Sequence, residues 1–152
     1  MANQAAMGGV PALTILYDGG CPLCLREVRF LQGRDRQPQR LAFVDIDAPT
    51  YDPGRYAGIS YRDAMGRIHA IDGDGTVLRD VAVFRRAYEL IGLGWLYAPT
   101  GWPLVGSLAE AAYRLWAHLR LSVTGRPGLE QLCQERQGGG TPAAAAENRC
   151  RI

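Results

Sequence analysis

The chain is expected to fold as an α/β protein with a mixed four-stranded sheet flanked by helices, and three observations in its 152 residues lead there. Leu13-Thr14-Ile15-Leu16-Tyr17 is a short β-rich apolar run closed by Asp18-Gly19-Gly20, and a 3.6-period pattern follows it at once. Leu41-Ala42-Phe43-Val44-Asp45 is a second such run, so strand, helix and strand form a right-handed parallel βαβ unit. Ile68-His69-Ala70-Ile71 and Thr76-Val77-Leu78 flank Asp72-Gly73-Asp74-Gly75, the pattern of two strands around a tight glycine turn.

The elements follow in order. Pro22 suits a first helical position, having no N–H to leave unpaired, and Cys24, Val28 and Leu31 recur at i, i+4 and i+7 in a helix reaching Arg34. After the second strand, Asp47 to Tyr61 carries Pro49, Pro53, Gly54 and Gly58 and reads as loop, with a short helix from Tyr61 to Met65. The hairpin comes next, then a helix from Val81 to Leu93 with Val81, Phe84, Tyr88 and Ile91 on one side. The acidic residues from Asp72 to Asp80 do not make a calcium loop, because the positions for its glycine and its bidentate glutamate are valines, Val77 and Val83.

The order β-α-β-(α)-β-β-α is the thioredoxin-like three-layer plan. An added C-terminal helix is expected from Leu104 to Leu121, with Leu108, Ala112, Leu115 and Leu119 facing the core. The domain is read as residues 12–133, between a flexible N-terminus at 1–11 and a disordered tail at 134–152 that includes Cys150.

A net charge of +2 gives no case for nucleic acid, and no basic stripe is interleaved with aromatics. All 17 basic residues are arginine, which removes lysine Schiff-base chemistry. From Leu90 to Ala109 no residue is charged, but Gly92, Gly94, Pro99, Gly101, Pro103 and Gly106 break the run too often for a membrane span. Its Trp95, Tyr97 and Trp102 make it an aromatic loop suited to peripheral docking. Met1 to Pro11 has neither a basic start nor an apolar stretch, so a reducing, cytoplasmic setting is expected, with vicinal thiols at rest as thiols.

The chemistry lies in Cys21-Pro22-Leu23-Cys24. At a helix N-terminus, unpaired backbone N–H groups and the macrodipole favour an anion and lower a thiol pKa. Cys21 is therefore the expected nucleophile and Cys24, one turn further on and less exposed, the resolving thiol. Asp18 has two compatible roles: capping the turn by accepting N–H bonds from Gly20 or Cys21, and relaying a proton to or from Cys24. Arg26 reads as an exposed arginine rather than a thiolate partner. A zinc site would need two further ligands, and Cys133, Cys150, His69 and His118 are not paired at ligand spacing, so no metal is assigned. A structural disulfide is the plainer alternative, although so short a loop restrains little chain entropy.

Asp18, Cys21 and Cys24 together form an Asp-x-x-Cys-x-x-Cys motif, and on it the chain resembles the DCC family of thiol-disulfide oxidoreductases. The likeness runs from about Leu13 to Leu132 and includes Arg67 to Ile71, Tyr113-Arg114-Leu115-Trp116 and Thr124-Gly125-Arg126-Pro127. It implies a thioredoxin-like fold and disulfide exchange through the two cysteines, without a cofactor. The partners would be a disulfide-bearing protein or small thiol compound and an external thiol reductant. Thioredoxins and glutaredoxins place a cis-proline before the strand that faces the cysteines, near Gly66 to Ile68 here, yet no proline lies between Pro53 and Pro99. Site shaping is therefore assigned to Gly19, Gly20, Pro22, Leu23 and His69, with Met65 and Gly66 nearby. The competing expectation is a thioredoxin-like interaction module whose cysteines are idle or hold a metal.

Overall fold

The computed structural model describes residues 10–36 and 40–138. Strand β1 (Leu13–Tyr17) leads into α1 (Pro22–Arg34), and β2 (Leu41–Asp45) returns parallel to β1 with Ile15 opposite Phe43. A short α2 (Tyr61–Gly66) precedes the hairpin of β3 (His69–Asp72) and β4 (Val77–Arg79). Strand β3 runs antiparallel to β1 with His69 opposite Leu16, giving the sheet order β2-β1-β3-β4. The hairpin turns on Gly75 at φ 89°, a conformation in which a Cβ would be strained. Then come α3 (Val81–Leu90), two 3-10 turns (Gly94–Leu96 and Ala98–Gly101), α4 (Pro103–Val123) and α5 (Leu129–Gly138).

Because β1 is central, its side chains feed both faces of the sheet. Leu13 and Ile15 pack with Leu31 of α1 and with Val83, Ala87 and Tyr88 of α3. Leu16 packs on the other face with Tyr61, Ala64 and Met65 of α2 and with Leu132 and Cys133 of α5. The result is the three-layer sandwich expected from the sequence, with a mixed open sheet between helices.

The C-terminal part departs from expectation in two ways. Helix α4 buries Ala117, Arg120 and Leu121, not the predicted stripe: Leu108, Leu115 and Leu119 are 71%, 62% and 46% exposed, and Ala112 is exposed as well. Tyr113, Ala117, Arg120, Leu121 and Thr124 also follow helical spacing, and this face wins because it carries a guanidinium that a buried carboxylate needs. Helix α5 continues past residue 133 to Gly138, and Arg136 donates to the carbonyls of Asp47 and Ala48 while its guanidinium sits 4.3 Å from the Tyr61 ring centroid. The expectations for residues 1–9 and 139–152, Cys150 among them, lie outside the described residues. Among the described residues no helix is long and apolar enough to cross a membrane.

The two faces of α4 differ in their expected response to truncation. Leu121→Ala should cost about 2–5 kcal/mol in urea denaturation, whereas Leu115→Ala should stay within about 0.5 kcal/mol.

Candidate active site

The turn after β1 is built by its two glycines. Gly19 donates its N–H to Asp45 Oδ1 at 2.9 Å, and a methyl group on Gly19 would lie 2.1 Å from that carboxylate. At Gly20 the same atom would lie 2.4 Å from the Arg126 guanidinium carbon. A larger residue at either place would displace the Asp45 carboxylate or the Arg126 guanidinium from its present position. Asp18 closes the turn in its expected capping role, accepting the Gly20 N–H at 2.9 Å, while the Cys21 N–H donates to the Asp18 carbonyl at 3.1 Å.

Cys21 is the N-cap of α1 and Pro22 its first helical residue, so the first thiol does sit at the positive end of a helix. Its exposure is the reverse of the expected one: Cys21 is 0% exposed, and Cys24 is the partly exposed thiol. Both are free thiols and hydrogen-bonded to each other.

Arg120 of α4 is the residue that organises the pair. Its Nη1 donates to Asp18 Oδ2 at 3.2 Å and to Cys24 Sγ at 3.3 Å, and its Nη2 donates to the Met65 carbonyl. The side chain is only 6% exposed. Arg126, from the turn between α4 and α5, reaches Asp18 Oδ1 and Asp47 Oδ2, both at 3.2 Å. The 1% exposed Asp18 carboxylate is thus held by two guanidinium groups and one backbone N–H, all donors, which makes it the anchor of the site.

This surrounding splits the two thiols. Burial opposes ionisation of Cys21, but hydrogen bonds to its sulfur from the Cys24 thiol and N–H, and from Arg120, outweigh burial and hold its pKa below the ordinary 9.0. Burial pushes the Cys24 thiol up to about 12, helped by the hydrogen bond it donates to Cys21 and opposed by the Arg120 charge. The Cys21 thiol thus loses its proton more readily than an ordinary cysteine, and the Cys24 thiol holds its own more tightly.

Beside Cys24 opens a cavity of about 440 Å³. Leu23, Val28 and Leu31 of α1 form one side. The other is an aromatic wall in which Phe84 stacks on Tyr97 with centroids 6.2 Å apart, and Tyr113 lies 5.9 Å from both Phe84 and Trp116. Its charged groups are Asp18, Glu27 and Arg120.

Of the predicted site residues, Asp18, Gly19, Gly20, Cys21, Pro22, Leu23 and Cys24 form one continuous turn and helix start. His69 does not join them: it is 2% exposed, its Nδ1 pairs with the Arg67 carbonyl at 2.9 Å, and burial lowers its pKa. Arg26 is exposed, as expected. Arg120 is absent from the sequence reading, and Tyr113 and Arg126 enter it only within the stretches that carry the family resemblance, without a role at the site. Tyr113 accepts the Ile68 N–H at 3.1 Å, just before β3. A usable signal existed, since a carboxylate just before a buried cysteine pair needs a cation and α4 offers an arginine on an apolar-spaced face. Among the described residues no group of three or more His, Cys, Asp or Glu side chains is arranged to hold a metal ion.

The ion pair and the split thiols each have a measurable consequence. Arg120→Met leaves a buried acid short of its counter-charge and should cost about 3–5 kcal/mol, and a double-mutant cycle with Asp18→Asn should recover a coupling of at least about 1 kcal/mol. The second consequence concerns alkaline pH. Cys24 ionises near 9.0 when unfolded and near 12 when folded, so the unfolded chain holds fewer protons in that window and stability falls as pH rises through it, by at most about 1.4 kcal/mol per unit. Cys21, with its lowered pKa, contributes in the opposite sense, and its gain is complete once pH passes 9.0. Urea titrations of the reduced protein should show the fall begin above about pH 9, and Cys24→Ser should remove the part between about pH 9 and 10, below the range in which the raised pKa values of Tyr51, Tyr61, Tyr88 and Tyr113 add a fall of the same sign.

An uncharacterized, chloroplastic protein of Arabidopsis thaliana is 42% identical over 140 residues, covering 92% of this chain and 65% of that protein, so the chain spans about two thirds of the relative's length. No solved structure matches the chain. The family model described as DCC1-like thiol-disulfide oxidoreductase matches residues 15–126, from the middle of β1 through the cysteine pair, the hairpin and Arg120 to Arg126, and the chain belongs to that family.

Proposed function

We propose that the protein is a thiol-disulfide oxidoreductase of the disulfide-reducing type, with Cys21 as nucleophile and Cys24 as resolving thiol. The observation that carries this reading is the Arg120 guanidinium, held by the buried Asp18 and bonded to Cys24 beside the helix N-terminus, because its charge at the cysteine pair also favours the Cys21 thiolate.

In this reading the Cys21 thiolate attacks one sulfur of a substrate disulfide, a Cys21–substrate S–S bond forms, and the first substrate thiolate leaves. Cys24 then loses its proton and attacks the Cys21 sulfur, closing the Cys21–Cys24 disulfide and expelling the second thiolate. Two electrons pass from the protein to the substrate, two protons end on the released thiols, and an external dithiol restores the pair. In this reading the substrate reaches the covered Cys21 from the side of Cys24, which borders the cavity. Asp18 keeps Arg120 in place, and a cytoplasmic setting that keeps the pair reduced belongs to the same proposal.

A second reading rests on the exposure of Cys24, which would make Cys24 the thiol that meets the substrate. Trapping separates the two. Incubated with a disulfide substrate, Cys24→Ser should accumulate a mixed disulfide on Cys21, and Cys21→Ser should not accumulate one on Cys24. The opposite pattern would exchange the two roles. Failure of the intact pair to cycle between dithiothreitol and oxidised glutathione would leave the interaction-module account in possession.

A further inference from the structure

We propose that the cavity beside Cys24 selects disulfides carrying an uncharged apolar group, aromatic above all, next to the reacting sulfur, and that it reads them without main-chain pairing. This inference rests on the redox reading of the cysteine pair and names the substrate class for it.

Three features of the site converge. First, the cavity is lined by Cys24 of the cysteine pair, by Leu23, and by Phe84, Tyr113 and Trp116, whose rings meet at tilted angles with centroids 5.9 Å apart. A space of about 440 Å³ is large enough for one or two substituted aromatic rings, and burying such a group removes its apolar surface from water. Second, the charges oppose an anionic substrate. Arg120 is already engaged by Asp18, Cys24 and the Met65 carbonyl, and Glu27, whose carboxylate accepts the Tyr88 hydroxyl at 2.8 Å, adds negative charge to the wall. Glutathione disulfide, with several carboxylates, finds no free cation among the lining residues.

Third, the backbone at Arg67 and at the cavity-lining Ile68 is already hydrogen-bonded. The Arg67 N–H donates to the Asp63 carbonyl, the Ile68 N–H to the Tyr113 hydroxyl, and the Ile68 carbonyl accepts the Asp80 N–H. An extended peptide that drew on the Arg67 or Ile68 N–H for main-chain pairing would have to break an internal hydrogen bond. Recognition falls to the body of the group in the cavity.

The test compares kcat/KM for four disulfides with the wild-type protein and a thiol reductant: the symmetrical disulfide of N-acetyl-Cys-Phe-amide, the mixed disulfide of 2-phenylethanethiol and 2-mercaptoethanol, bis(2-hydroxyethyl) disulfide and glutathione disulfide. Both aromatic compounds should exceed the hydroxyethyl compound by about tenfold to a hundredfold. Glutathione disulfide should be the poorest. The two aromatic compounds should agree within about threefold, because the main chain adds nothing. Trp116→Ala should lower kcat/KM for the aromatic pair by more than for the hydroxyethyl disulfide, and Glu27→Gln should raise it for glutathione disulfide. Equal rates throughout, or a preference for glutathione disulfide, would overturn the inference while leaving the redox reading intact. A large advantage of the peptide over the non-peptide aromatic compound would overturn the claim about the main chain, and no turnover of any disulfide would remove the redox reading and the inference together.

Discussion

The ion pair between Arg120 and Asp18 is the constraint on which the site depends. A carboxylate 1% exposed and a guanidinium 6% exposed are each costly to bury alone, and each is tolerable because the other is there. The pair joins the turn after β1 to a helix about a hundred residues later, so it fixes where α4 crosses the molecule. With α4 so fixed, the same guanidinium reaches Cys24, and Tyr113 on the same face reaches the Ile68 N–H. Thiol chemistry and tertiary structure therefore hang on one contact.

That arrangement explains why the two cysteines differ although they belong to one short motif. Cys21 has the helix N-terminus, the Cys24 thiol and Arg120 all favouring its anion, and these outweigh the cost of burial. Cys24 gives its proton to the shared hydrogen bond and is pushed the other way. The covering of Cys21 is consistent with protection of a low-pKa sulfur from casual oxidation, since susceptibility follows both thiolate character and exposure. The cavity beyond Cys24 is bounded by the other residues of α4's inner face and by α3, so the helix that supplies the charge also supplies part of the wall.

Much of this was legible in the sequence because it is local. β1 and β2 match their predicted bounds, the hairpin stands around its Asp-Gly turn, and Pro22 opens α1, each dictated by side-chain period or turn chemistry within a few residues. The Gly20 N–H bond to Asp18 was legible for the same reason. What escaped is non-local. Helix α4 is apolar on two sides, and counting hydrophobic residues selects Leu108, Leu115 and Leu119, the side that faces outward. The inner side carries an arginine, which hydropathy counts against burial, and only the partner at Asp18 tips the balance toward burying it. His69 was misplaced for a related reason: alternation along a strand does not tell whether a histidine lies toward the site or is tied to its own backbone.

If Arg120 and the helix N-terminus separate the two thiols, direct titration of the reduced, intact protein will show it. Following the Cβ chemical shifts of both cysteines by NMR from about pH 4 to 10 should show Cys21 losing its proton below its ordinary 9.0 while Cys24 stays protonated throughout. Two thiols titrating together near 9.0, or Cys24 ionising first, would contradict the account.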